Sequence, residues 1–191
     1  MAEEYDEEFG ELGLVIGDFN IPSRASDLPP QFKELLVPNK VQYVFCTGNV
    51  GNRETTDWLK TLSGNTHIVK GDFDETKEIP ETKIIQIGSW KLALLHGHQI
   101  VPAGDDETLY TFLREMEADV LVTGHTGIAK VSAVEKKYII NPGSVTGSFN
   151  GTQSSIPSFL ILEFKKEKIQ VFIYTFDGEV KIDKQELPFQ K

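Results

Sequence analysis

The sequence holds one cysteine, Cys46, among 191 residues. No internal disulfide can form, and such sparse usage fits a reducing compartment. Positive charge is also short: 19 lysines and arginines face 29 aspartates and glutamates, a net charge of -10. A protein that tracks a nucleic-acid backbone needs a basic footprint, so that class is excluded. Attraction to an anionic membrane by charge alone is disfavoured for the same reason. Nowhere do 18 apolar residues run together, so no segment reads as a membrane-spanning helix. A secretory leader would need a positive start and an apolar middle. The opening Met1-Ala2-Glu3-Glu4-Tyr5-Asp6-Glu7-Glu8 is acidic instead. A cytoplasmic protein is the expectation, with residues 1–11 an acidic, flexible extension. Residues 12–191 read as a single domain whose last few residues form a flexible tail.

What is present is organised around Lys91-Leu92-Ala93-Leu94-Leu95-His96-Gly97-His98-Gln99. An apolar run of strand length stops at a histidine, a glycine and a second histidine. α/β proteins place ligands outside the carboxyl ends of their strands, and other strands here end the same way. Leu12 to Gly17 runs into Asp18-Phe19-Asn20, and Val41 to Cys46 into Thr47-Gly48-Asn49. The short strand His67 to Val69 leads to Gly71-Asp72-Phe73-Asp74, and Val120 to Val122 to Thr123-Gly124-His125-Thr126-Gly127. Helices are expected with Asp27 as N-cap and Pro29 and Pro30 in the first turn, with Asn52 as N-cap, and with Asp106 as N-cap. Lys83 to Ile87 pairs with Lys91 to Leu95 as a hairpin turning at Gly88-Ser89. Beyond Lys130 the pattern becomes a meander, through Tyr138 to Ile140, Ser158 to Phe164 and Ile169 to Phe176. Strand–helix alternation followed by a meander predicts two packed sheets with helices outside.

The strand ends supply Asp18, Asn49, Asp72, His96 and His125, separated by 31, 23, 24 and 29 residues. A single glycine-flanked histidine or aspartate is ordinarily a loop residue. Recurrence overturns that reading, because unrelated loops would not place three of four histidines at such stops. His67 lies within a strand and is left structural. Two imidazoles, two carboxylates and an amide gathered at one rim suit Zn²⁺, Mn²⁺ or Fe²⁺.

In this order the motifs resemble those of the calcineurin-like metallophosphoesterases over nearly the full length. The resemblance is carried by Asp18, Cys46-Thr47-Gly48-Asn49, Gly71-Asp72-Phe73-Asp74-Glu75, His96-Gly97-His98-Gln99 and Ile140-Asn141-Pro142-Gly143-Ser144. It implies an α/β, metallophosphoesterase-like sandwich of two mixed β-sheets flanked by helices. Active members clamp a phosphate between two metals about 3.5–4 Å apart, and two cations so close need a carboxylate between them. Here the bridging position is Asn49, and Asn20 and Gly127 replace expected histidine ligands. Phe73 stands where the family carries a histidine that can act on the leaving group. The resemblance therefore implies a degenerate site without catalytic residues, with Asp18, Asn49, Asp72, His96 and His125 as a partial metal site. One weakly held divalent ion, zinc or manganese, is one outcome; a hydrogen-bonded remnant without an ion is the other.

Within the family, the resemblance is to a non-catalytic scaffold subunit of the retromer cargo-recognition complex, which moves proteins from endosomes to the Golgi and plasma membrane. The implied partners are a large α-solenoid subunit and, through it, an arrestin-like subunit, with peripheral attachment to the endosome membrane through partners. Ile100 and Val101 form an apolar loop beside the histidine rim and are the expected solenoid contact; packing against Phe112 is the alternative. A second patch, Leu12, Leu35, Leu36, Ile161, Phe172 and Tyr174, is the position implied for regulators with proline- and leucine-containing loops. Residues of these types are core more often than surface. The competing function is a weak metal-dependent phosphodiesterase.

Overall fold

A computed structural model describes residues 10–148 and 155–190. The acidic opening up to Phe9 lies outside the described residues. Eleven strands and three helices are found among the described residues. The first strand is β1, Glu11–Ile16, followed by helix α1, Pro30–Leu35, and strand β2, Tyr43–Cys46. Helix α2, Arg53–Leu62, leads to β3, Asn65–Ile68. The hairpin is β4, Thr82–Ile87, and β5, Trp90–Leu95; helix α3, Asp106–Glu115, and β6, Val120–Val122, come next. The meander is β7, Ala129–Val134; β8, Lys137–Pro142; β9, Ser158–Phe164; β10, Lys168–Phe176; and β11, Val180–Pro188.

These strands form two mixed sheets, as the motifs imply. One has the order β11-β10-β9-β1-β2-β3, the other β4-β5-β6-β8-β7. β1, β2 and β3 run parallel, as do β5, β6 and β8. Their carboxyl ends are where the polar stops of the sequence fall. Strands covered on both faces read as unbroken apolar runs, which explains Leu14-Val15-Ile16 and Leu92-Ala93-Leu94. Val15, Phe45, Leu92, Leu94, Val122 and Leu162 fill the space between the sheets. Leu14 and Ile16 point the other way, with Phe32 of α1 and Leu59 and Leu62 of α2. On the second sheet Ala93, Leu95 and Leu121 pack under Leu109 and Leu113 of α3.

The helix starts differ in detail from expectation. Asn52 caps α2 as its type predicts, its side chain accepting from the Thr55 N–H. Asp105, not Asp106, caps α3, and its carboxylate accepts from both the N–H and the hydroxyl of Thr108. Asp27 caps nothing: it accepts from the Leu28 N–H and pairs with Lys33. The N-cap of α1 is Pro29, with Pro30 as first residue. Proline carries no side-chain acceptor, so Pro29 gives this helix no side-chain cap, while Pro30 at the first position leaves one fewer N–H to satisfy. Strand β11 was absent from the sequence reading, because seven of its nine residues between Val180 and Pro188 are exposed and carry no apolar run.

Candidate functional site

The site is made by turns that ordinary side chains rarely adopt. Asp18, Asn20, Asn49 and His125 all have positive φ, between 50° and 70°. Left-handed non-glycine residues concentrate where the surrounding structure holds functional groups in place. Hydrogen bonds do the holding here. Asp18 Oδ2 accepts from the His125 N–H at 3.0 Å, and the Ser144 hydroxyl donates to the Asp18 carbonyl at 2.7 Å. The Asn141 amide donates to the Gly124 carbonyl and the Thr126 hydroxyl. His96 is fully buried, its Nδ1 2.6 Å from the Thr47 carbonyl. A carbonyl only accepts, so Nδ1 carries a proton, and Nε2, 3.0 Å from Asp72 Oδ1, donates to that carboxylate when it is protonated as well.

Asp74 is the residue that sequence reasoning passed over. Its buried carboxylate accepts from the backbone N–H groups of Asn49 at 2.8 Å, Val50 at 3.0 Å, Gly51 at 3.3 Å and Gly71 at 2.9 Å. It thus ties the loop after β2 to the loop after β3. Its place two residues beyond Asp72 was the available signal. Gly71 is required by closeness, since a Cβ there would lie 2.1 Å from Asn49 Oδ1.

Three of the five expected ligands come together as one group. Asp72, His96 and His125 each offer an atom, all within 4.8 Å of one another. Two imidazole nitrogens and a carboxylate suit zinc, and the bond from His96 Nδ1 to a carbonyl is the outer support typical of a ligating histidine. These residues fit one divalent ion. Asp18 and Asn49 lie beside the group, with Asp18 Oδ1 3.9 Å from His96 Nε2. Asn49 faces it with nitrogen: Oδ1 accepts from the Phe73 N–H at 3.0 Å, and Nδ2 lies 3.0 Å from Asp72 Oδ1, 3.4 Å from Asp18 Oδ1 and 3.1 Å from His96 Nε2. Asn20 turns its Nδ2 to Ser148 and the Asp18 carbonyl. Phe73 is exposed, with the Arg24 guanidinium 4.5 Å from its ring centre. His98 lies near the other two rim imidazoles but outside the ligand group. His67 stacks on Phe45, away from the rim.

Charge at the rim is finely divided. Burial pushes the Asp18 carboxyl up to about 6, partly offset by the His96 charge and the His125 N–H. For Asp72 burial acts in the same sense, but hydrogen bonds from His96 and Asn49, with the charges of both imidazoles, hold it well below the usual carboxylate range. His96 shows the reverse balance. Burial opposes its protonation, yet the Asp72 bond and the Asp18 charge raise it above an ordinary imidazole. His125 is lowered by burial and by the charge of His96.

Beyond the rim the apolar candidates divide. Val101 is 81% exposed, whereas Ile100 is only 2% exposed and packs with Leu109 and Leu113 under α3. Ile100 is therefore a core residue, a correction to the reading of both as a docking loop. Its N–H bonds the Gly97 carbonyl, which turns the side chain into the sheet-helix interior. On the outer face of the first sheet, Leu12, Leu35, Leu36, Ile161 and Tyr174 line a cleft of about 280 Å³. Phe172 does not line it; it pairs with Ile161 across β9 and β10, under the Lys184 ammonium.

Residues 13–167 match the calcineurin-like phosphoesterase superfamily domain. Over 181 residues the chain is 35% identical to vacuolar protein sorting-associated protein 29 (Vps29) of Schizosaccharomyces pombe, covering 92% of this chain and 97% of that one. The chain belongs to the Vps29 family of calcineurin-like phosphoesterases. Two solved structures of that family carry the same fold. Vps29 of Cryptosporidium parvum superposes with a TM-score of 0.90 at 36% identity, covering 95% of this chain and all of that one. Wild-type Vps29 of Entamoeba histolytica, solved in complex with Zn²⁺, gives 0.87 at 42% identity, covering 92% and 99%. The mixed-sheet sandwich expected from the motifs is thus the fold of the Vps29 family. Among the described residues no helix is long and apolar enough to cross a membrane.

Proposed function

We propose that this chain is a non-catalytic subunit of retromer, with a role in vacuolar protein sorting. It docks on the large α-solenoid subunit through the rim around Val101 and reaches the arrestin-like subunit through it. It works in the cytoplasm and on endosome membranes, held there by partners. The kinship with Vps29 carries the reading. Support for the absence of catalysis comes from Asn49, which puts a hydrogen-bond donor where two metals would need a bridging carboxylate. Phe73 adds no proton donor at the leaving-group position. The cleft lined by Leu12, Leu35, Leu36, Ile161 and Tyr174, with Phe172 at its margin, is the regulator surface, apolar enough for a proline- and leucine-containing loop.

A pulldown from cytosol beside a Val101→Asp variant tests this. An unpaired charge at an apolar contact costs several kcal/mol, so the variant should lose the solenoid subunit and keep binding at the cleft. Leu35→Asp should show the opposite pattern. Retention of the solenoid subunit by Val101→Asp would remove the rim from the interface. Mn²⁺-dependent turnover of an aryl phosphodiester, lost in His96→Ala, would overturn the non-catalytic reading.

One divalent ion, zinc or manganese, is weakly held by Asp72, His96 and His125 and would stiffen the rim. A proton on His96 Nε2 competes with it. Because His96 titrates above an ordinary imidazole, zinc affinity should already be falling as pH drops through neutrality. The slope approaches about tenfold per pH unit for one displaced proton. Calorimetric titration between pH 6 and 8 checks the sign; affinity independent of pH would place the ion elsewhere.

A further inference from the structure

We propose that the Asn49 side-chain amide takes the place of a cation between the carboxylates of Asp18 and Asp72, so that the rim keeps its geometry with no metal bound. In a two-metal site, positive charge must lie between the carboxylates that face each other. Here that place is filled from within the chain. Asn49 Nδ2 carries two hydrogens and lies 3.4 Å from Asp18 Oδ1 and 3.0 Å from Asp72 Oδ1. The third neighbour, His96 Nε2, lies 3.1 Å away.

The orientation is not free to reverse. Asn49 Oδ1 is the acceptor for the Phe73 N–H, and turning the amide over would set two N–H groups against each other. It would also leave two carboxylates without their shared donor. The Asn49 backbone is fixed separately, by its N–H to the Asp74 carboxylate. Packing closes the remaining room, since Gly71 lies too near Asn49 Oδ1 for any side chain. A preorganised donor of this kind bonds both carboxylates without a metal being present.

The inference concerns the isolated chain and stands apart from the docking reading. Its test is Asn49→Asp, which keeps the size and the acceptor for Phe73 but exchanges the donor for a third carboxylate. Thermal unfolding and zinc calorimetry are measured for both proteins, with and without chelator. The wild type should unfold at a similar temperature after chelation. The variant should lose several degrees when stripped, recover them with zinc, and bind zinc at least roughly tenfold more tightly through its added charge. A stripped variant as stable as the wild type, a loss that zinc does not reverse, or unchanged affinity would each overturn the proposal. Should the variant fold in neither condition, hydrogen exchange of the wild-type Asn49 amide in chelator decides. Slow exchange supports a bound donor, and exchange at the rate of a free amide overturns it.

Discussion

Replacing Asp74 by alanine is expected to destabilise the protein by about 3–5 kcal/mol, more than any loss of a rim ligand. The reason is the number of backbone groups that depend on one buried carboxylate. Four N–H groups, of Asn49, Val50, Gly51 and Gly71, converge on it. Alanine leaves them without a charged acceptor, in a place where water has little access. The loops after β2 and β3 carry Asn49 and Asp72, so their alignment should fail with the anchor, and zinc binding with it. Asp74→Asn keeps the shape and one acceptor oxygen, and about half of the loss is expected. Glu75→Ala, one residue along and exposed, should stay within about 0.5 kcal/mol of the wild type. Denaturant midpoints for the three variants check the order. An Asp74→Ala midpoint close to that of Glu75→Ala would show that the loops are held by other means.

Asp74 also shows what could be read from the sequence and what could not. The strands that build the rim were legible, because parallel strands buried on both faces leave continuous apolar runs that stop abruptly. Their polar stops were legible as a site, since Asp72, His96 and His125 recur at regular spacing and do converge. Asp74 sits in the same stretch as Asp72, yet nothing in an aspartate's type says whether it faces a metal or four backbone amides. Only the fold decides that. Asn49 presents the same difficulty at the level of a single atom. The sequence gives an amide, while the Phe73 N–H decides which end of it enters the site.

Burial was the second thing the sequence concealed. Ile100 and Val101 are adjacent apolar residues in a loop, and composition treats them alike. The turn closed by the bond from the Ile100 N–H to the Gly97 carbonyl sends one under α3 and leaves the other in solvent. Strand β11 was missed for the converse reason. An edge strand packed on one neighbour carries charges along most of its length, as natural edges do to discourage pairing. Its pairing with β10 from Lys168–Pro188 to Phe176–Val180 is set by register rather than by apolar pattern.

Zinc binding should be abolished by either His96→Ala or His125→Ala, but only the first should also weaken the fold. Each change removes one of three ligand atoms, and losing an imidazole from so small a set leaves little affinity. The surroundings of the two rings differ. His96 is completely buried between Thr47 and Asp72, so alanine there opens a cavity and leaves the Thr47 carbonyl without its donor. Cavity and lost bond together are worth about 2–4 kcal/mol. The side chain of His125 is 29% exposed, and its firmest tie, from its N–H to Asp18, is made by the backbone and survives the substitution. Its removal should cost under about 1 kcal/mol. Calorimetry and denaturation on both variants separate the two roles. Equal destabilisation would mean that the His125 ring supports the rim as His96 does. A His96→Ala protein that still bound zinc would place the ion outside the group of Asp72, His96 and His125.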